Sequence, residues 1–547
     1  MLIGVGAFFW LRSYVFANIS ARIDEKISSM KLSGFNVRYD SLSVDWRTNV
    51  IIVENLVLEK NAYDTACVYP EFIAVGKIRA EGLRLWPLIF NNILSFEDLS
   101  LEKWRMVMRQ NSQLFADSSS EREKDFTLRA DRVSFKSADL TYTDSSQCDM
   151  ITGIKSDITI EALALSFPVT EPFSYEVDGL SLGYTEVKLP QALYTFKIRE
   201  TKLDLLTNVF RADSIQVIPD AGKFEFSRKL GYETDRFDAL IPFVRADNVF
   251  FSFNDSSQIT AGFTEIQIYL KVFRDKRLPF VKKNKLLPIA QLQDLPFDLL
   301  IDSLKVTKSY VEYEEFAEGS AEAGKVYFDN LYATITNINN SSTTGNTQMR
   351  AQANLVGQGN VKLFVTFPLN TDKTSQLAGS IVDFRIPEIN PMLTPATNIK
   401  VESGKMEKLT FRFSFNETRS DGELELNYHD LKLAIFKDEG KKKEEELEKD
   451  NLKTFIMNTF IFRTNMDEDV PQDKRTGTIA FVRDDNRSVF NFWVKSLVSG
   501  IKSAYNLDKA EAKIIERDEK REDKKEQRLT KREARKLKRT DKKKDRG

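Results

Sequence analysis

The chain holds one histidine, His429, among 547 residues, beside 81 Asp and Glu and two cysteines, Cys67 and Cys148. His429 falls on the polar side of an alternating strand, where a solvated side chain is expected. A His-based triad or a multi-histidine metal site has almost nothing to be built from. The cysteines lie far apart with no CxxC spacing, so neither a zinc site nor a disulfide framework is indicated. None of GxSxG, HExxH, GxxxxGK[ST] or GxGxxG occurs. Carboxylates abound, yet nothing singles out a pair for hydrolysis, and a hydrolase would need a cleft of converging acids with strongly perturbed pKa values. The sequence assigns no catalytic residue, no metal ligand and no cofactor, and points away from an enzyme.

The chemistry it does offer is apolar contact, concentrated between 398 and 436. Phe411, Phe413 and Phe415 alternate with Thr410, Arg412 and Ser414; after the turn NETRSDG, Leu424, Leu426 and Tyr428 alternate with Glu423, Glu425 and Asn427; Leu431, Leu433 and Ile435 continue the pattern. Period-two alternation on both sides of a polar turn predicts a β-hairpin and a further strand with one apolar face. Left open, that face would hold lipid acyl chains, a lipid groove. Covered, it is an ordinary core packed on a second sheet or on helices.

These strands belong to a chain that reads as mainly β. Charged residues make up 29% and apolar residues only 41%, while 40 phenylalanines suit strands better than helices. A phrase recurs at 130–144 (ADRVSFKSADLTYTD), 211–218, 245–255 and 301–315 (IDSLKVTKSYVEYEE): a polar start, an alternating strand, a small break and a second alternating strand. One supersecondary unit used several times predicts a long, quasi-one-dimensional, curved antiparallel sheet with an extended surface. Residues 18–272 form a first β-rich region. A proline-bounded basic connection at 273–300 leads to a second, 301–507. Helical patterns are few: a short one at 18–33, a helix or hinge within 87–112, and one from Arg487 to Leu507. The last is amphipathic, with Phe490, Trp493, Val494, Leu497 and Ile501 at helical spacing. It predicts either a helix on a membrane surface or groove end, or a cap packed on the last strands. Residues 438–451 are too charged to bury anything.

The ends differ from the body. Residues 1–17 are apolar except Arg12 and Ser13, which predicts a transmembrane anchor that snorkels its arginine, the alternative being a cleaved secretory signal that lacks the usual charged start. Either sends the body out of the cytoplasm. From Lys524 to Gly547 there are 13 Lys and Arg against 4 Asp and Glu, a surplus of nine; with a net charge of −1 overall, the first 523 residues carry −10. The tail 508–547 is expected to be a solvated helix or disordered, drawn to anionic headgroups or envelope proteins or without a dedicated ligand. No aromatic interleaves its charges, so nucleic acid is not indicated.

The apolar start followed by GFNVRYDSLSVDW and IIVENLVLEK, the phrase IDSLKVTKSYVEYEE leading to AGKVYFDNLYATITNI, and SGKMEKLTFRFSF to GELELNYHDLKLAIF resemble the AsmA-like superfamily. So does GTIAFVRDDNRSVFNFWVKSLVSGIK, similar to the closing segment of such proteins in Bacteroidetes. The resemblance covers most of the chain and rests on alternation and short phrases. It implies a single-pass protein of the bacterial inner membrane with a periplasmic β-groove, related to bridge-like proteins that conduct phospholipids between membranes in envelope and outer-membrane biogenesis. At this length it leaves open a shuttle, a partial bridge, or a non-catalytic scaffold that influences outer-membrane protein assembly.

Overall fold

The computed structural model describes residues 35–505 except 46, 61–71, 85–86, 88–89, 92, 110–124, 144–149, 168–173, 254–256, 398, 437–455 and 462–474. The anchor 1–17, the helix 18–33, both cysteines, the charged segment 438–451 and the tail 508–547 lie outside the described residues.

Alternation and β-rich composition place 24 strands in one sheet among the described residues. β1 (Phe35–Arg38) and β2 (Ser41–Asp45) both pair with β3 (Val50–Lys60), which pairs with β4 (Phe72–Glu81), and that with β5 (Ile93–Arg109). β6 (Phe126–Thr143) and β7 (Met150–Phe167) follow. β8 (Ser174–Glu176), β9 (Gly179–Leu182) and β10 (Thr185–Leu189) line β7, and the last two also line β11 (Tyr194–Asp204). Next come β12 (Val209–Pro219) and β13 (Asp235–Asp247), which shares β15 (Ser257–Asp275) with β14 (Phe250–Phe253). β16 (Asp298–Phe316), β17 (Gly324–Asn339), β18 (Asn346–Leu355), β19 (Gly359–Pro368), β20 (Ser375–Arg385), β21 (Ile399–Phe415) and β22 (Arg419–Phe436) add one at a time. β23 (Ile456–Ile461) and β24 (Arg475–Val482) share the far side of β22. Almost every strand thus pairs with its neighbours in sequence.

The sheet is mixed, a correction to the antiparallel expectation. β5–β6 and β15–β16 are parallel. A parallel joint needs a connection of a dozen or more residues to carry the chain back. At the second joint this is the proline-bounded basic stretch, residues 276–297, so the sheet runs on across the segment read from sequence as a boundary. Helices are few: α1 (Lys223–Leu230), α2 (Pro288–Gln293) inside that crossover, α3 (Asn390–Thr397) and α4 (Val489–Ala504). The helix or hinge expected within 87–112 is largely strand, because Trp104, Met106 and Met108 alternate with Lys103, Arg105 and Val107 and extend β5. No described helix is long and apolar enough to cross a membrane.

Long strands keep one apolar face by changing phase. Asn55, Lys103, Ser137, Ser214, Lys308 and Asn330 sit inside strands with positive φ. At each the ladder skips residues, and at Ser137, Lys308 and Asn330 the register also slips by one, for example between Phe135/Ile158 and Ala138/Ser156. Such bulges bend and twist the strand and shift its alternation by one. On β5 the apolar positions run Leu99, Leu101, then Trp104 and Met106; Trp104 meets Phe135 edge to face at 5.5 Å, which places both segments on one side.

Candidate functional site

The longest continuous chemical feature follows from the cross-strand register. Residues directly opposite in a ladder share a face. Starting at β2, Val44 opposes Ile51, which opposes Ala80, then Leu99, Val133 and Ile160. The row continues through Leu180, Leu203, Phe210 and Ala246 to Thr264. It then passes Leu304, Ile335, Met349, Val365 and Leu377 to Phe413. Thr264 is its one polar member up to that point. The adjacent row on the other face reads Arg79, Ser100, Ser134, Thr159, Ser181 and Lys202, and then Arg211, Arg245, Glu265, Lys305 and Thr334. By these rows one face of the sheet is apolar across 17 strands, and the other is polar across the 11 strands traced.

The two ends of the apolar face differ in what lies on them. At the C-terminal end Phe411, Phe413, Phe415, Leu424, Leu426, Tyr428 and Leu431 are all buried, with Phe415 and Tyr428 fully so, and Leu433 packs at the margin. The side chain of Ile435 is outside the described residues. The cover is α4. Phe492 and Trp493 contact Phe415 edge to face at 6.0 and 5.9 Å, Trp493 stacks on Phe367, and Tyr505 meets Tyr428. Ser496 and Ser420 share a buried hydroxyl hydrogen bond of 2.7 Å. Two glycines set the approach: a Cβ on Gly477 would lie 2.0 Å from the Gly500 carbonyl oxygen, and one on Gly500 would lie 2.5 Å from Leu424. The strands singled out as an open lipid groove are therefore a covered core, and Gly500, a weak point for helix propensity, is what lets the helix seat.

Of the two sequence readings of α4, the structure shows the cap packed on the last strands. Trp493, Leu497 and Ile501 pack against the core, while Phe490 and Val494, with Val498, expose a second apolar stripe. Phe490 also reaches Phe328 on β17 edge to face at 6.1 Å.

Between β3 and β15 the described helix α1 packs at one strand end, against Tyr194 and Phe273. In this part of the row Ile51, Ala80, Val133 and Ala246 are buried, and Ile160, Leu180, Leu203 and Phe210 are half-buried. These residues were not singled out from sequence. Their signal was present in the recurring phrases, whose small breaks are the positive-φ residues Ser137, Ser214 and Lys308 within strands and Asn248 at a turn.

A charged clasp fixes the boundary between the two ends. The buried Glu233 accepts from Arg274 and Arg487, each at 2.6 Å, and Arg274 also reaches Asp235 at 3.0 Å. Burial alone would raise the Glu233 carboxyl, but the two guanidinium hydrogen bonds hold it below the ordinary glutamate value. Arg487 stacks over Phe280, the Lys285 amide donates to the Asp485 carbonyl, and Arg483 binds both Glu417 and the Lys285 carbonyl. The entry to α4, the crossover and the start of β13 are tied together 254 residues apart in sequence.

His429 opposes Lys405 and lies 3.6 Å from Glu407 at the partly exposed polar side of β22. Among the described residues no three His, Cys, Asp or Glu converge as a metal site. A scan against models of protein families finds no match, and a search of curated proteins finds none.

Proposed function

We propose that the chain is an inner-membrane-anchored periplasmic carrier or partial bridge that holds phospholipid acyl chains along the apolar face of its sheet. The observation that supports this reading is the row from Val44 to Ile335, apolar but for Thr264, over which no second layer of described strands is laid. Bulges cut each long strand into segments, the device by which a sheet curves into a trough. Neighbouring strands stand about 4.8 Å apart, so the steps from β3 to β15 span roughly 45 Å of continuous apolar surface. Each methylene withdrawn from water contributes about 0.8 kcal/mol, so two acyl chains bind without any catalytic group. The opposite, polar face stays in water. The resemblance to the AsmA-like superfamily points the same way.

In this reading α4 and the crossover stop the trough at its C-terminal end, and lipid occupies the β3–β15 part. A second reading, a non-catalytic scaffold for outer-membrane assembly, draws on the same burial of Phe411 to Leu431, because those strands form a closed core with nothing left for lipid. The two part on one experiment. Full-length protein purified from membranes is analysed by native mass spectrometry with lipid extraction, as wild type and with Ile160→Glu plus Leu203→Glu. Phospholipid lost in the variant, and retained when Thr159 on the other face becomes Glu, supports the carrier. Folded wild-type protein free of lipid supports the scaffold.

A further inference from the structure

The polar face changes character over β17–β21. Across the earlier strands its cations are matched by acids: Arg132 lies between Asp98 and Glu161, Lys202 pairs with Glu200, and Lys305 reaches Glu265 at 3.8 Å. The ladder row Thr334, Arg350, Phe364, Ala378 and Arg412, and the next, Tyr332, Gln352, Lys362, Ser380 and Thr410, contain no carboxylate. Arg350 and Lys362 are exposed, and neither has an ion-pair partner among the described residues, whereas Arg412 at the far edge opposes Glu423 on β22. Between them Phe364 stands 38% exposed, with the Arg350 guanidinium 5.5 Å from its ring centre. Thr334, Arg350, Gln352, Lys362, Phe364 and Ser380 line an open hollow of about 760 Å³, with Lys305 at its rim.

We propose that this hollow binds an anionic oligosaccharide. The carbohydrate part explains the exposed ring, which offers a flat apolar surface to the C–H face of a sugar, and the surrounding amides and hydroxyls, which match sugar hydroxyls. Its acid groups meet Arg350 and Lys362, two cations that have no ion-pair partner among the described residues. An exposed ring beside two cations at the edge of an open hollow suits a short chain of sugar rings better than a flat bilayer surface. The site lies on the opposite side of the sheet from the apolar row and does not depend on the lipid reading.

Isothermal titration calorimetry on the full-length protein tests it, with an oligogalacturonate hexamer as probe and neutral maltohexaose as control. The expected result is galacturonate binding that falls at least tenfold in Arg350→Glu with Lys362→Glu and several-fold in Phe364→Ala, with maltohexaose not bound. All three positions are exposed, and circular dichroism checks that each variant is folded. Absence of galacturonate binding, or binding unchanged in the double variant, overturns the proposal. So does binding that ignores Phe364→Ala and is matched, through the same cations, by phosphatidylglycerol vesicles, because the face is then a general anion surface.

Discussion

Replacing Glu233 by Gln tests the clasp that holds α4 over the C-terminal core. The Glu233 side chain is 3% exposed, against 7% for Arg274 and 22% for Arg487. Removing its charge leaves both guanidinium groups short of a partner, although Arg274 keeps Asp235. Breaking a fully buried pair costs about 3–5 kcal/mol. Opening of α4 breaks only the Arg487 contact, and a charge-assisted hydrogen bond contributes about 1.5–3 kcal/mol, less where the donor is partly exposed. The local cost is thus about 1–2 kcal/mol, and amide exchange in α4 should speed up about 5- to 30-fold at neutral pH. The pH dependence has a definite sign. The Glu233 carboxyl is lowered in the folded state, so its contribution is complete above the unfolded carboxylate value near about 4.3 and is lost as pH falls through the lowered folded value. Wild-type α4 should therefore lose protection in acid, and Glu233→Gln should lack that part of the loss. Equal α4 exchange in the two proteins at pH 7, with superimposable acid profiles, would refute the reasoning.

Other expectations follow from burial and backbone. Phe413→Ala, at a position 1% exposed, should destabilise the C-terminal strands by about 3–4 kcal/mol in denaturant unfolding, as a core position does. Gly500→Val puts a side chain into Leu424 and Ile479 and should cost about 1–3 kcal/mol or undock α4, read as loss of Trp493 fluorescence shielding. Lys308, with φ 42°, should tolerate Gly with no loss of stability or a gain of up to about 1 kcal/mol, whereas Lys308→Val should destabilise by about 1–2 kcal/mol in the same unfolding measurement.

Much of this was legible in the sequence because alternation is a local signal. The strand-rich class, the sequential ladder and the apolar helix near 489–504 all follow from spacing within a few residues. Phe413 illustrates the limit: period two puts it on the apolar face, but whether that face is open depends on Gly477 and Gly500 letting α4 approach, a contact that no local pattern carries. The parallel joint at β15–β16 was hidden for a similar reason, since a proline-bounded basic segment looks the same whether it links two regions or returns the chain across one sheet. The breaks in the recurring phrases were visible as irregularities, yet only positive φ at Ser137 or Lys308 identifies them as phase-shifting bulges. Glu233 and Arg487 carried no signal at all, because 254 residues separate them.

The central claim, that the apolar face of β3–β15 holds acyl chains, is tested most directly by photocrosslinking along β7 in membranes carrying isotope-labelled phospholipid. A photoreactive side chain is placed in turn at 157, 158, 159 and 160, and at 413 as a core control. The account predicts lipid adducts at 158 and 160, none at 157 and 159, and none at 413. Adducts at all four β7 positions alike, or at none of them while the protein remains folded, would contradict it.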